Sequence, residues 1–166
     1  MAGALYQYLF DDHGRLDKLL GQAISKLDAI DMGSYVEFRT GLLRHIAMEE
    51  KVVLPAIVQM RGGKPSPIAD RLRLDHGALV ALLVPPPTPS IVLTLCSVLQ
   101  VHNDLEEKDG GLYQTFEQLT GPDADLMLAE MKNIPEVPVL PYNERPSIIE
   151  STRRAVERAG YRFHDV

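Results

Sequence analysis

Two segments of this chain repeat one pattern: His45-Ile46-Ala47-Met48-Glu49-Glu50 and His102-Asn103-Asp104-Leu105-Glu106-Glu107. Each sets a histidine and a glutamate four residues apart in a stretch whose apolar spacing is helical. Residues at i and i+4 share one helix face, a turn apart. Both faces are apolar, with Phe38 and Leu42 upstream of His45, and Leu95, Val98 and Leu99 upstream of His102. Ionisable groups buried among such side chains are costly unless they are paired or bind metal. Few folds can accommodate two such faces, and a metal site is one of them.

The rest of the chain reads as helix. Residues 5–30 carry Tyr6, Leu9, Phe10, Leu16, Leu20, Ile24 and Leu27 at helical spacing, with His13 in the stripe. Ser34 and Glu37 resemble a capping box for a second helix over 35–60, which Pro55 should bend. A third helix starts at Ser66-Pro67, carries Leu72, Asp75, His76 and Leu79, and stops at Pro85-Pro86-Pro87. A fourth opens at Thr88-Pro89 and reaches about Leu119, weakened at Gly110-Gly111. No segment alternates with period two, so the expected class is all-α. Four helices with short connections pack most simply as an antiparallel up-down bundle over residues 1–121. Residues 122–166 hold a short helix to Asn133, four spaced prolines and a charged helix over 147–159. They read as an extension packed on the bundle or on a partner, too small for a core of its own.

One stripe histidine then falls on each helix, His13, His45, His76 and His102, with Glu49 and Glu106 one turn beyond two of them. Four imidazoles and two carboxylates can hold two cations, the carboxylates bridging. Nitrogen and oxygen donors without thiolate favour iron, manganese or zinc.

The pattern resembles hemerythrin-like, or HHE cation-binding, domains. The resemblance is carried by Asp12-His13, by His45 to Glu50 running on to Leu54-Pro55, by Asp75-His76, and by His102 to Glu107 running on to Leu112-Tyr113. It covers roughly residues 5–119. It implies a four-helix bundle around a di-iron centre, bridged by carboxylate and oxo or hydroxo groups, with zinc or manganese as alternatives. His13, His45, His76 and His102 would be terminal ligands, and Glu49 and Glu106 the bridges. Oxygen-carrying members have a further histidine where this chain has Leu72, which leaves an open position here. That departure points away from simple oxygen carriage, toward members that sense or respond to nitric oxide and reactive oxygen or handle iron.

Neighbouring groups read more plainly. Glu50 and Glu107 point about 100° away from the ligands, toward a solvated face or a supporting contact. Asp17 reads the same way. Asp12 and Asp75 read as helix-surface aspartates, with orienting a neighbouring group as the alternative, and Tyr6 and Tyr113 as core packing, with gating the pocket or donating to a bound ligand as the alternative. Cys96 reads as a small core residue. His164 reads as a bystander and Arg153-Arg154 as a solvated face.

A net charge of −6 with no basic stripe gives nucleic acid no electrostatic foothold. One cysteine allows no internal disulfide, and neither a leader nor a membrane span is legible, so a cytoplasmic protein is expected. The expected partner of the site is O₂, peroxide or nitric oxide, with a homodimer or protein partner through the extension. Two rivals stand beside this reading. One is a di-iron oxidase, peroxidase or iron donor for repair of iron centres. The other is a helical interaction module with structural zinc or no metal.

Overall fold

The computed structural model describes residues 2–166, and Met1, counted in the 1–121 unit above, lies outside them. The protein is all-helical, with no strand among the described residues. Its elements are α1 (Ala4–Ala23), α2 (Met32–Met48), a π turn (Glu49–Val53), α3 (Leu54–Met60), α4 (Ala69–Leu82), α5 (Pro89–Glu107), α6 (Leu112–Thr120), α7 (Ala124–Lys132) and α8 (Pro146–Arg158). No helix among them is long and apolar enough to cross a membrane.

Three boundaries depart from the sequence reading. α1 stops at Ala23, well short of residue 30, because the Asp31 N–H turns back to the Ala23 carbonyl at 2.9 Å. Asp31, not Ser34, caps α2: its carboxylate accepts from the Gly33 and Ser34 N–H groups at 3.0 and 3.4 Å, and the Ser34 hydroxyl donates to it. The helix expected over 35–60 is interrupted by the π turn one residue before Leu54-Pro55. Proline cannot donate to the ladder and its ring crowds the preceding turn. The wider π turn absorbs that misfit, with the Leu54 N–H reaching back to the Glu49 carbonyl.

The fourth predicted helix is two. α5 is capped by Thr88, whose hydroxyl accepts from the Ile91 N–H at 3.3 Å, and it ends at Glu107. Gly110 then adopts φ +75°, and α6 starts at Leu112. A Cβ on Gly111 would meet the carbonyl oxygens of Glu106, Leu105 and Lys108 at 2.6 to 2.8 Å. Only glycine fits so close to the end of α5.

The buried side chains form two apolar clusters. One contains Leu16, Leu20, Phe38, Leu42, Leu79, Leu95 and Val98, and the other Leu5, Leu9, Met48, Val53, Leu72, Leu112 and Phe116. Along α1 the chain passes from the second cluster through His13 to the first. Along α2 it returns through His45, along α4 it crosses again through His76, and along α5 and α6 it returns through His102. Successive passes run in opposite senses, and the histidines lie between the clusters.

The segment after residue 121 also packs against these helices. Met131 joins the second cluster, and Arg44 donates to the carbonyls of Met131, Lys132 and Ile134. Val156, Ala159 and Phe163 join the first cluster, with α8 lying on α4. His164 stands outside the histidine and glutamate groups and anchors the segment to α5: its backbone N–H donates to Thr94 Oγ1 and its ring meets Ser97 Oγ at 2.8 Å. Arg153 is tied to Asp165 and lies over the Phe163 ring, 4.5 Å from its centre. Cys96 is half-buried at the margin of the first cluster.

Gly111→Ala should destabilise the protein by about 1–3 kcal/mol, because the clash is with backbone and cannot be relieved by a rotamer. Urea unfolding should show this as a lower midpoint, whereas Gly77→Ala, where a Cβ meets nothing within 4 Å, should leave the midpoint level or raise it.

Candidate metal centre

The six residues singled out by sequence converge in the layer between the clusters. His13, His45, His76 and His102 are at most 4% exposed, and Glu49 and Glu106 are wholly buried. Each glutamate turns its two oxygens toward different histidines. Glu49 Oε1 lies 3.1 Å from His45 Nε2, and Oε2 lies 3.0 Å from His76 Nε2. Glu106 Oε2 lies 3.4 Å from His13 Nε2, and Oε1 lies 3.3 Å from His102 Nε2. Two groups of donors result, His13, His45, Glu49 and Glu106 on one side and His76, His102, Glu49 and Glu106 on the other. Within each group the donor atoms lie within 4.8 Å of one another. Both carboxylates belong to both groups.

Behind each imidazole stands a second carboxylate, facing Nδ1. Asp12 reaches His45 at 2.8 Å, Glu50 reaches His76 at 2.6 Å, Glu107 reaches His13 at 2.5 Å, and Asp75 approaches His102 at 3.4 Å. Each of the four is adjacent in sequence to a site residue of its own stretch of helix, yet serves the histidine of another. Asp12 of α1 serves α2, Glu50 of the π turn serves α4, Asp75 of α4 serves α5, and Glu107 of α5 closes the ring on α1. Successive residues on a helix are 100° apart, so the neighbour of an inward-facing ligand faces the adjacent helix. Asp12 and Asp75, expected as surface aspartates, are therefore corrected to supports of the site. Glu50 and Glu107 take their supporting role as well, while Asp17 is exposed.

Tyr113 is the larger correction. Instead of only packing in the core, its hydroxyl sits in the middle of the first donor group. It lies 2.8 Å from Glu49 Oε1, 3.0 Å from Glu106 Oε2, 2.8 Å from His13 Nε2 and 3.0 Å from His45 Nε2. On one continuous helix Tyr113 would stand about 10 Å along the axis from Glu106. The break at Gly110-Gly111 folds it back. Tyr6 stays at the margin, edge-on to Tyr113 with its hydroxyl donating to the Glu107 carbonyl at 2.7 Å. Leu72 is fully buried one turn before His76 and offers no donor.

The charges are unevenly shared. Burial opposes protonation of His45 and His76, but the carboxylates around them win and raise both to about 9. Burial lowers His13 and His102. Glu49, against the penalty of burial, is held well below the usual carboxylate range by His45 and His76. Glu106 is pushed well above it by burial and by the charge of Glu49. Burial and both glutamates hold the Tyr113 phenol protonated. Some polar atoms here are left without an aligned hydrogen bond, among them Glu106 Oε1, His102 Nδ1 and both Asp75 oxygens. Unsatisfied buried donors and acceptors are rare. Together with four imidazoles and two shared carboxylates, they fit a pair of cations taking mixed nitrogen and oxygen ligands.

Two expectations follow for chelator-treated protein. Groups with raised folded-state values stabilise fully below the unfolded value and lose that contribution as pH rises through the folded one. His45 and His76 therefore make the thermal midpoint fall between about pH 6.5 and 9, a trend a calorimetric pH series reads directly. Tyr113→Phe removes a hydroxyl shared by both glutamates and should cost about 1–3 kcal/mol in urea unfolding. Compared with family models, with curated proteins and with solved structures, the chain matches none of them, so its chemistry has to be read from these residues.

Proposed function

We propose that the chain is a non-haem di-iron protein of the hemerythrin-like type, an antiparallel four-helix bundle whose site takes a small ligand such as O₂, peroxide or nitric oxide. One observation carries this reading: Glu49 and Glu106 each present one oxygen to each histidine pair. A single-cation site has no need of two carboxylates shared in this way. The alternation of chain direction between the two apolar clusters supports the bundle.

In this reading His13 and His45 would hold one iron, His76 and His102 the other, and Glu49 and Glu106 would serve both. Bound iron supplies one-electron redox chemistry and coordination positions for a small ligand. The protein's own residues do the rest. The four outer carboxylates orient the imidazoles and make them stronger donors. The apolar clusters on both sides exclude water. Leu72 leaves the His76–His102 side without a third nitrogen donor. Tyr113 holds a proton at its hydroxyl oxygen, in reach of both bridging carboxylates.

That hydroxyl supports a second reading, a di-iron oxidase or peroxidase, because such an enzyme needs a proton donor beside the ligand. A surface cleft lined by Gly3, Tyr6, Glu107, Asp109 and Glu117 lies against the same wall of the site. Faster peroxide consumption than free iron, lost in Tyr113→Phe, would select this reading over a binding or sensing role.

The decisive experiment is to purify the protein without added metal, count iron, zinc and manganese per chain, and record visible spectra through reduction and re-exposure to air. About two irons with bands that bleach on reduction are expected. Zinc or no metal, with no spectrum after anaerobic iron loading, refutes the redox reading. Glu49→Ala and Glu106→Ala should each abolish the pair of irons, since both irons use both carboxylates. Glu107→Ala should retain iron with affinity lowered about 10- to 100-fold through loss of support at His13.

A further inference from the structure

Three of the four outer carboxylates touch solvent: the Asp12, Glu107 and Glu50 side chains are 13%, 26% and 32% exposed. Asp75 is wholly buried. A carboxylate in that position needs partners, since a buried charge left alone is strongly destabilising. Its own helix gives it Arg71, one turn earlier, with Nη2 3.2 Å from Oδ1. Arg71 in turn is covered by a distant segment, 160–166.

The Tyr161 hydroxyl is buried there without a hydrogen bond, and the contact with Arg71 is made by the ring. The Arg71 guanidinium lies over the Tyr161 ring, 4.9 Å from its centre. Burial, with Arg71 opposing and Asp75 reinforcing it, holds the phenol at about 12, so the group remains a donor. The segment is fixed on either side of this contact. Thr152 donates to the Ala81 carbonyl at 3.1 Å, Gly160 turns the chain at φ +88°, and the Tyr161 N–H returns to Val156. Beyond it, Phe163 is buried and the His164 N–H donates to Thr94 of α5.

The two histidine pairs are therefore supported differently. Tyr113 contacts His13 and His45 from inside. Around His102, by contrast, the Asp75 oxygens, His102 Nδ1 and the Tyr161 hydroxyl all lack an aligned hydrogen bond. We infer that segment 160–166 belongs to the metal centre: the Tyr161 ring holds Arg71, Arg71 holds Asp75, Asp75 sets the ring of His102, and the hold on iron at the His76–His102 pair depends on that chain of contacts. Tyr161 is a positioning residue, acting through Arg71 and Asp75, and the inference rests on the metal reading above.

The test uses the full chain loaded anaerobically with ferrous iron, then challenged with a ferrous chelator. Wild type, Tyr161→Leu and Tyr142→Leu are compared. Tyr142 is the matched control: its ring too lies beneath an arginine, Arg39, at 4.2 Å. Tyr161→Leu should release one of its two irons about 10- to 100-fold faster and the other at the wild-type rate. Tyr142→Leu should match wild type, and Arg71→Met should reproduce the single fast phase. Circular dichroism of the metal-free variants, equal to wild type, confirms that the phase is not unfolding. Release of both irons in parallel, release at the wild-type rate, or the same fast phase in Tyr142→Leu would overturn the inference while leaving the di-iron reading intact. A wild-type chain that takes up no iron overturns the di-iron reading, and this inference with it.

Discussion

Six ionisable side chains lie at the centre of this protein between two apolar clusters, and their burial is the constraint that everything around them answers. Four histidines and two glutamates cannot be left unpaired at that depth without a cost larger than the net stability of a domain this size. The fold's answer is a closed ring. Each outer carboxylate stands beside one site residue in sequence and behind the histidine of a different helix in space. Asp12, Glu50, Asp75 and Glu107 thus make four separate helical stretches mutually dependent. The same contacts fix each imidazole's rotation and leave Nε2 facing inward, which is what a pair of cations requires.

The inner pair of carboxylates resolves its repulsion unequally. Glu49 is held as an anion between two protonated histidines, while Glu106 is driven toward the neutral acid by burial and by Glu49 itself. Like charges this close separate their titrations in this manner. Two cations bound there would remove the reason for the inequality, because both carboxylates would then face positive charge. Metal uptake would accordingly displace protons from His45 and His76.

The class of fold and the six inner residues were legible because helical periodicity and the four-residue His-to-Glu spacing are both properties of a single helix. What escaped depends on relations between helices. Asp12 and Asp75 look like surface residues on their own helices, and only the neighbour's position makes them supports. Tyr113 escaped because its place depends on a chain break, and Gly110-Gly111 was read as a weak point in one helix instead of a corner between two. The sequence did contain a usable signal: an acidic residue beside four of the six site positions, His13, Glu49, His76 and Glu106, each about 100° from its neighbour. Pro55 was expected to bend a helix, and the π turn shows the other resolution of the same steric problem, a widened turn. The Asp31 cap was missed because Ser34 and Glu37 satisfied the capping pattern by spacing alone.

The two irregular points of the main chain, at residues 49–53 and 108–111, fall on the same side of the polar layer, each within a turn of a central glutamate. Beyond them the short elements α3 and α6 join the starts of α1 and α4 in the second apolar cluster. Helical cooperativity is interrupted at both points, so α3 and α6 are held by packing in that cluster and not by helical continuity with the segments that carry His45 and His102. Backbone amides of α3 and α6 should accordingly exchange with solvent through a local event, distinct from the global unfolding that α2 and α5 report. The protein has, in effect, a hinged floor beneath a rigid cage.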